Sequence, residues 1–215
     1  MVDRSDDASC LLGLAGLAVE RVALTALGVR IVQLVTDDPD AALEMTGPVA
    51  LRLWISSDRE DLDVLVRLQH LDADGEPIPA IGPQGGPMPM AIGWLRASHR
   101  ELDPARSEPY RPWHTHLNPQ PLPPGEPTLL EVEIWPTSIT LAPGERLRLE
   151  LVSDDDDLAN FAHNDPNDRH PAAGATIHVG GAHRSHLLVP IIGSSILSGQ
   201  PEVWTSAARL NESGP

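Results

Sequence analysis

The chain contains no lysine: its fifteen basic residues are all arginine, set against 31 Asp and Glu, for a formal net charge of -16. Binding a polyanion depends on a basic surface that releases counterions, so nucleic acid is excluded as an expected partner. The acidity serves solubility instead. A single cysteine, Cys10, excludes an internal disulfide, and the fold must stand on its apolar core. Aromatic side chains are scarce, with one Tyr, one Phe and five Trp. Long apolar runs are scarce too. The run at 10–19, CLLGLAGLAV, ends at Glu20 and Arg21, short of the roughly 20 apolar residues a membrane-crossing helix needs. Asp3, Asp6 and Asp7 oppose the positive start of a secretory signal. No membrane partner and a cytoplasmic location are therefore expected. Residues 1–28 form an unassigned apolar segment, either an adventitious N-terminus or a short amphipathic helix, since Leu11, Leu14, Ala18 and Val22 suit one helix face.

What the chain does have is alternation. Hydrophobic residues make up 41% of it, which is enough for one core of ordinary size. Val49, Leu51, Leu53 and Ile55 share one side of an extended segment, with Arg52 and Trp54 on the other. Leu62, Val64, Val66 and Leu68 repeat the pattern up to a turn at 72–75, and the two segments are expected to be neighbouring strands. Further strands are expected at 90–98, 130–134, 147–151 after the Pro143-Gly144 turn, 175–179 and 186–192. Prolines break the segment 76–89 and the segment 103–127, which are expected to be loops. Seven or eight short strands without helical alternation predict an all-β fold, a jelly-roll β-sandwich of mainly antiparallel strands with long Pro-rich loops, over 29–193. Residues 194–215 are a tail.

Residue types able to do chemistry are present without a clear plan. No G-x-S-x-G occurs, so the strained turn that exposes a hydrolase serine is missing. Neither glycine cluster, Gly82/Gly85/Gly86 or Gly180/Gly181, precedes a helix that could cradle phosphate. No catalytic residue, cofactor or metal is assigned. His114 and His116 could place two imidazoles on one side of a strand and ligate zinc, but a further ligand is not identified, and pinning of a loop explains them more simply. His163, Asn164, Asp165, Asn167, Asp168 and His170 offer oxygen and nitrogen donors without EF-hand spacing, and turn capping explains them more simply than calcium. Tyr110 and Trp113 could stack on sugar; Trp54, Trp94 and Trp135 read as packing residues. The candidate docking or ligand loop thus comprises Tyr110, Trp113, His114, His116, His163, Asn164, Asp165 and Asp168.

Taken in order, TGPVALRLWISSD (46–58), DLDVLVRLQHLDADG (61–75), GWLRASHRELDP (93–104), YRPWHTH (110–116), PGEPTLLEVEIWPTS (124–138) and APGERLRLEL (142–151) resemble the C-terminal domain of the cocaine esterase and X-Pro dipeptidyl-peptidase hydrolases, the CocE/NonD family. The blocks HNDPNDR (163–169) and TIHVGGAHRSHLLVPII (176–192) continue the resemblance in register. It implies a jelly roll that accompanies an α/β-hydrolase domain carrying a Ser-Asp-His triad and a helical cap, neither of which is recognisable in this sequence. It implies ester or X-Pro peptide hydrolysis for an intact relative, with this domain acting in packing or in shaping the site. The partner it implies is a hydrolase domain in trans; failing that, loss of the interface predicts self-association. A free-standing carbohydrate- or ligand-binding module is the alternative, because a jelly roll does not fix function. A small metal-dependent enzyme built on the histidines is a further one.

Overall fold

A computed structural model describes residues 42–82, 85–152, 175–178 and 182–192, and the backbone alone of 9–13, 21–23, 31–35 and 209–211. Its elements in chain order are β1 (Ser9–Gly13), β2 (Arg21–Ala23), β3 (Ile31–Val35), β4 (Leu43–Ser56), β5 (Asp63–Leu71), β6 (Pro77–Ile78), β7 (Ala80–Ile81), β8 (Pro87–Met88) and β9 (Ala91–Arg96). A 3-10 turn, Ala97–His99, precedes β10 (Thr128–Leu141), β11 (Arg146–Val152), β12 (Thr176–His178), β13 (His186–Ile192) and β14 (Arg209–Asn211). All pairings are antiparallel. Among the described residues there is no α-helix, and none is long and apolar enough to cross a membrane.

The order β1-β13-β4-β10-β9-β5-β11-β3-β14 is one curled sheet in two halves. Strand β4 pairs along its whole length with β10 and on its other edge with β13 and β12. Strand β5 lies between β9 and β11. The halves meet where β10 passes β9 at a single paired position, Ile134 opposite Gly93. There the ladder of β10 slips between Ile134 and Thr137, a bulge that accommodates Pro136 within a long strand and bends the sheet. A Cβ on Gly93 would lie 2.4 Å from the Glu133 carbonyl oxygen, so only glycine permits the approach.

Curling closes both inner faces on one core. Leu51, Leu53 and Ile55 of β4 and Leu130 and Val132 of β10 share it with Val66 and Leu68 of β5 and Leu149 of β11. Period-two alternation is what makes this possible, since every second side chain of each strand points inward. The expectation that the strands at 49–55 and 62–68 neighbour each other is corrected: they belong to different halves and face one another across the core. Alternation reports which face a residue takes, not which strand it pairs with.

Two other expectations change. Ser9–Gly13, inside the stretch with helical spacing, is a strand on the open edge of β13. A helix that short is marginal in water, whereas a sheet edge offers a row of unpaired backbone groups. In the Pro-rich stretch expected to be a loop, β7 pairs with β8 around a Gly82–Gly86 turn, with Gly85 at φ 80. Pro77 opens β6 and Pro87 opens β8, the strand position that best tolerates a missing N–H.

The β10–β11 turn shows local chemistry at work. Gly144 adopts φ 91, and Glu145 Oε2 accepts from the Ala142 amide at 2.9 Å and meets His70 Nε2 at 2.8 Å. The Ala142 amide first, and His70 second, hold the Glu145 carboxyl below its usual range. A carboxyl whose folded pKa is depressed adds stability above its unfolded value of about 4.3, and that stability is lost as pH falls through the folded value. Glu145→Ala should therefore lower the melting temperature at neutral pH, by the equivalent of about 1 kcal/mol, with the gap to the parent closing in acid. Thermal melts across pH check this; a gap independent of pH contradicts it.

Candidate functional site

The functional candidates gather on the outer face of the β13-β4-β10 half and on the loop above it. Register puts His186, Arg52 and Glu131 in one row across three strands. Arg52 Nε donates to Glu131 Oε1 at 2.8 Å. His186 is pushed down from its ordinary value chiefly by burial, with Arg52 adding to the effect. In the next row His178 lies opposite Trp54, on whose ring His183 rests at 4.7 Å between centroids.

The loop after the 3-10 turn is tied back to the body at both ends. Asp61 Oδ1 accepts from the Ser98 amide at 2.8 Å and Oδ2 from the Ser98 hydroxyl at 2.7 Å. At the far end the Leu122 amide donates to the Glu60 carbonyl at 2.7 Å and the Leu122 side chain is buried. Between them, 101–103 and 113–115 run antiparallel: Leu102 bridges His114, the Asp103 amide donates to the Trp113 carbonyl and the Thr115 amide to the Glu101 carbonyl. Glu101 also accepts from Thr115 Oγ1 and from Asn118 Nδ2. The Pro-rich segment is thus a held platform. Long loops in compact domains are commonly binding elements.

Four of the expected site residues fall on this platform. Tyr110 is half-buried beside the Glu108–Arg111 turn. Trp113 is 44% exposed, with the Arg106 guanidinium 5.3 Å from its ring centre, and Leu117 close by is 79% exposed. His114 and His116 lie with ring centres 5.8 Å apart, and His116 adopts φ 55, a conformation uncommon outside glycine. His163, Asn164, Asp165 and Asp168 lie outside the described residues. Pattern reading missed His99, whose Nδ1 is 3.0 Å from His116 Nδ1; a histidine in a 3-10 turn carries no local signal of its distant partner. It also missed Ser56, whose hydroxyl is 2.9 Å from His178 Nε2. That serine is the last residue of β4, opposite Thr176, and no helix follows it as in a strand-to-helix elbow. Trp94 and Trp135, expected to pack, meet edge to face at 5.6 Å on the outside of the sheet, and Trp135 is 44% exposed.

The described residues define an antiparallel, all-β domain, not an α/β-hydrolase fold, and it bears a braced loop with exposed apolar side chains. Residues 34–188 match the family described as the X-Pro dipeptidyl-peptidase C-terminal non-catalytic domain, and the chain belongs to that family. A Mycobacterium tuberculosis protein described as a serine esterase is 31% identical over 160 residues, covering 71% of this chain and 22% of that protein. The cocaine esterase of a Rhodococcus species is 27% identical over 162 residues, covering 70% of this chain and 23% of the esterase. The chain thus spans less than a quarter of the length of these curated relatives. A CocE/NonD family hydrolase from Staphylococcus aureus superposes with a TM-score of 0.62 at 23% identity, over 80% of this chain and 36% of that one. An α-amino acid ester hydrolase superposes with a TM-score of 0.52 at 16% identity, over 86% and 32%. Both likenesses are of fold.

Proposed function

We propose that this domain serves as the accessory sandwich of a CocE/NonD-type ester or peptide hydrolase, packing against an α/β-hydrolase catalytic domain through the 101–122 loop. The observation that carries this reading is the family match at 34–188, to a domain described as non-catalytic. The catalytic serine, its histidine and the acyl-enzyme chemistry belong to the partner domain. The sandwich supplies a rigid wall that orders the partner's loops and shapes the rim of the substrate site.

The docking surface is built on Trp113 and Leu117, with Tyr110, His114 and His116 on the same loop. A large aromatic ring held in place by backbone hydrogen bonds loses little entropy on being covered, which is the property of an interface anchor. The Trp113 amide donates to Ser107 Oγ at 3.0 Å and fixes the ring's base.

By this reading the isolated chain turns over no ester. p-Nitrophenyl ester hydrolysis should stay at the buffer rate, and a serine-reactive fluorophosphonate should leave the protein unlabelled. Labelling that Ser56→Ala removes would overturn the accessory role and make the Ser56–His178 pair a nucleophile and its base.

A further inference from the structure

We propose that His99 and His116, with His114 beside them, form a latch on the docking loop that opens in mild acid and frees the stretch 113–117. The contact that closes it is a hydrogen bond between two like nitrogens: His99 Nδ1 and His116 Nδ1 lie 3.0 Å apart. Such a bond exists only while one ring donates its N–H and the other accepts on a bare nitrogen, because both nitrogens of a charged imidazole are donors. At least one of the two rings is therefore neutral while the latch is closed. A proton taken up from solvent by the accepting ring turns it into a donor, sets N–H against N–H and parts the pair.

His114 ties the same stretch to a neutral state. Its ring centre lies 5.8 Å from that of His116, which in turn lies 5.3 Å from that of His99. The His114 ring donates to the Glu131 backbone, and its Nε2 is buried with no hydrogen-bond partner among the described residues. A proton placed on that nitrogen would be a buried donor without an acceptor, so His114 must leave its site to carry one. Burial first, and His116 second, hold His114 below its ordinary value. A histidine depressed in this way takes up its proton in the opened form, so closure is fully favoured above about pH 6.5 and is lost progressively below it. His116 also holds φ 55, a conformation that costs energy in a non-glycine residue and relaxes once the ring is released.

The surrounding charges have bonds of their own. Glu131 of β10 faces His114 and accepts from Arg52 of β4, with His186 of β13 beyond it in the same row. Glu101 is engaged by Thr115 and Asn118, Asp61 by Ser98, and Asp103 by Arg106. Arg100 donates to the carbonyls of Ala97, Gln120 and Pro121. What the latch releases is the stretch bearing Trp113 and Leu117, so mild acid loosens the surface offered to a hydrolase. As regulation of docking the latch rests on the docking reading above, whereas its opening needs no partner.

The test is amide hydrogen exchange of the full 215-residue chain, resolved by NMR at about pH 7.5 and about pH 5.5, both above the ordinary carboxylate range, each rate being divided by its intrinsic value at that pH. The Asp103 and Thr115 amides donate to the Trp113 and Glu101 carbonyls across the base of the loop. Their protection should fall at least about tenfold between the two conditions, the change expected for one histidine that titrates on opening. In the His99→Asn/His114→Asn variant each new side chain carries an amide that can donate or accept without titrating, so protection should change by less than about twofold. Undiminished protection of the parent in mild acid, or an equal loss in the double variant, would overturn the proposal. Binding of a CocE/NonD catalytic core at the same two pH values separates the readings. Binding that weakens in acid for the parent alone supports latch and docking together; no binding at either pH counts against docking, and the exchange result still decides the latch.

Discussion

Gly93→Ala is expected to lose about 3 kcal/mol or more of stability, the upper range for forcing atoms into a packed interior. The added methyl would stand 2.4 Å from the Glu133 carbonyl oxygen and 3.0 Å from Ile134 Cγ1. Neither neighbour can yield cheaply: Ile134 is fully buried, and the Glu133 carbonyl belongs to the backbone of β10. Since Gly93 opposite Ile134 is the register pair joining the two halves, the clash strikes where the sheet turns its corner. Gly75→Ala is the contrast, because a Cβ there meets nothing within 4 Å and only the strain of φ 87 remains. It should cost about 1 kcal/mol. Thermal melts should place Gly93→Ala on the order of 10 °C below the parent and Gly75→Ala much nearer. Equal losses would mean that the corner is not closed by a close approach of backbones.

Trp113→Ala is expected to weaken association with a CocE/NonD catalytic core by about 2 kcal/mol, roughly thirtyfold in Kd. Its effect on the free domain should be small, because the ring is 44% exposed and rests under Arg106 rather than in the core. Leu117→Ser should weaken association in the same direction and leave the fold intact, the side chain being 79% exposed. Isothermal titration of the two variants beside the parent measures both effects. Trp135→Ala is the control, since that ring is equally exposed but lies on the bulge of β10 against Trp94. A loss on Trp135→Ala with none on Trp113→Ala would move the docking surface from the loop to the corner of the sheet.

Much of this architecture was legible in the sequence because strand alternation is local. The strand expected at 186–192 is found at His186–Ile192, the run at 49–55 lies within β4, and the run at 62–68 falls, apart from Leu62, in the first part of β5. Pairing was not legible: β4 and β5 carry the same pattern because both face one core, and nothing in either run names its neighbour. The extent of β10 was hidden by Pro136, which reads as a stop and is absorbed by a bulge. At the site, WHTH announced two imidazoles, but their company could not be read. His99 reaches His116 only because Asp61 fixes the 3-10 turn and Glu101 fixes the returning strand, contacts that depend on tertiary geometry. Ser56 and His178 are likewise joined by the ladder between β4 and β12.

Sedimentation velocity decides the matter most directly, run on this polypeptide, on a CocE/NonD serine-hydrolase core trimmed of its own sandwich, and on the two together. A new, faster boundary of one-to-one mass, missing when Trp113 and Leu117 are both replaced, is the expected result, with the polypeptide by itself tending to pair with its own copies. Independent migration of the two at every concentration, the lone polypeptide remaining monomeric, would contradict the account.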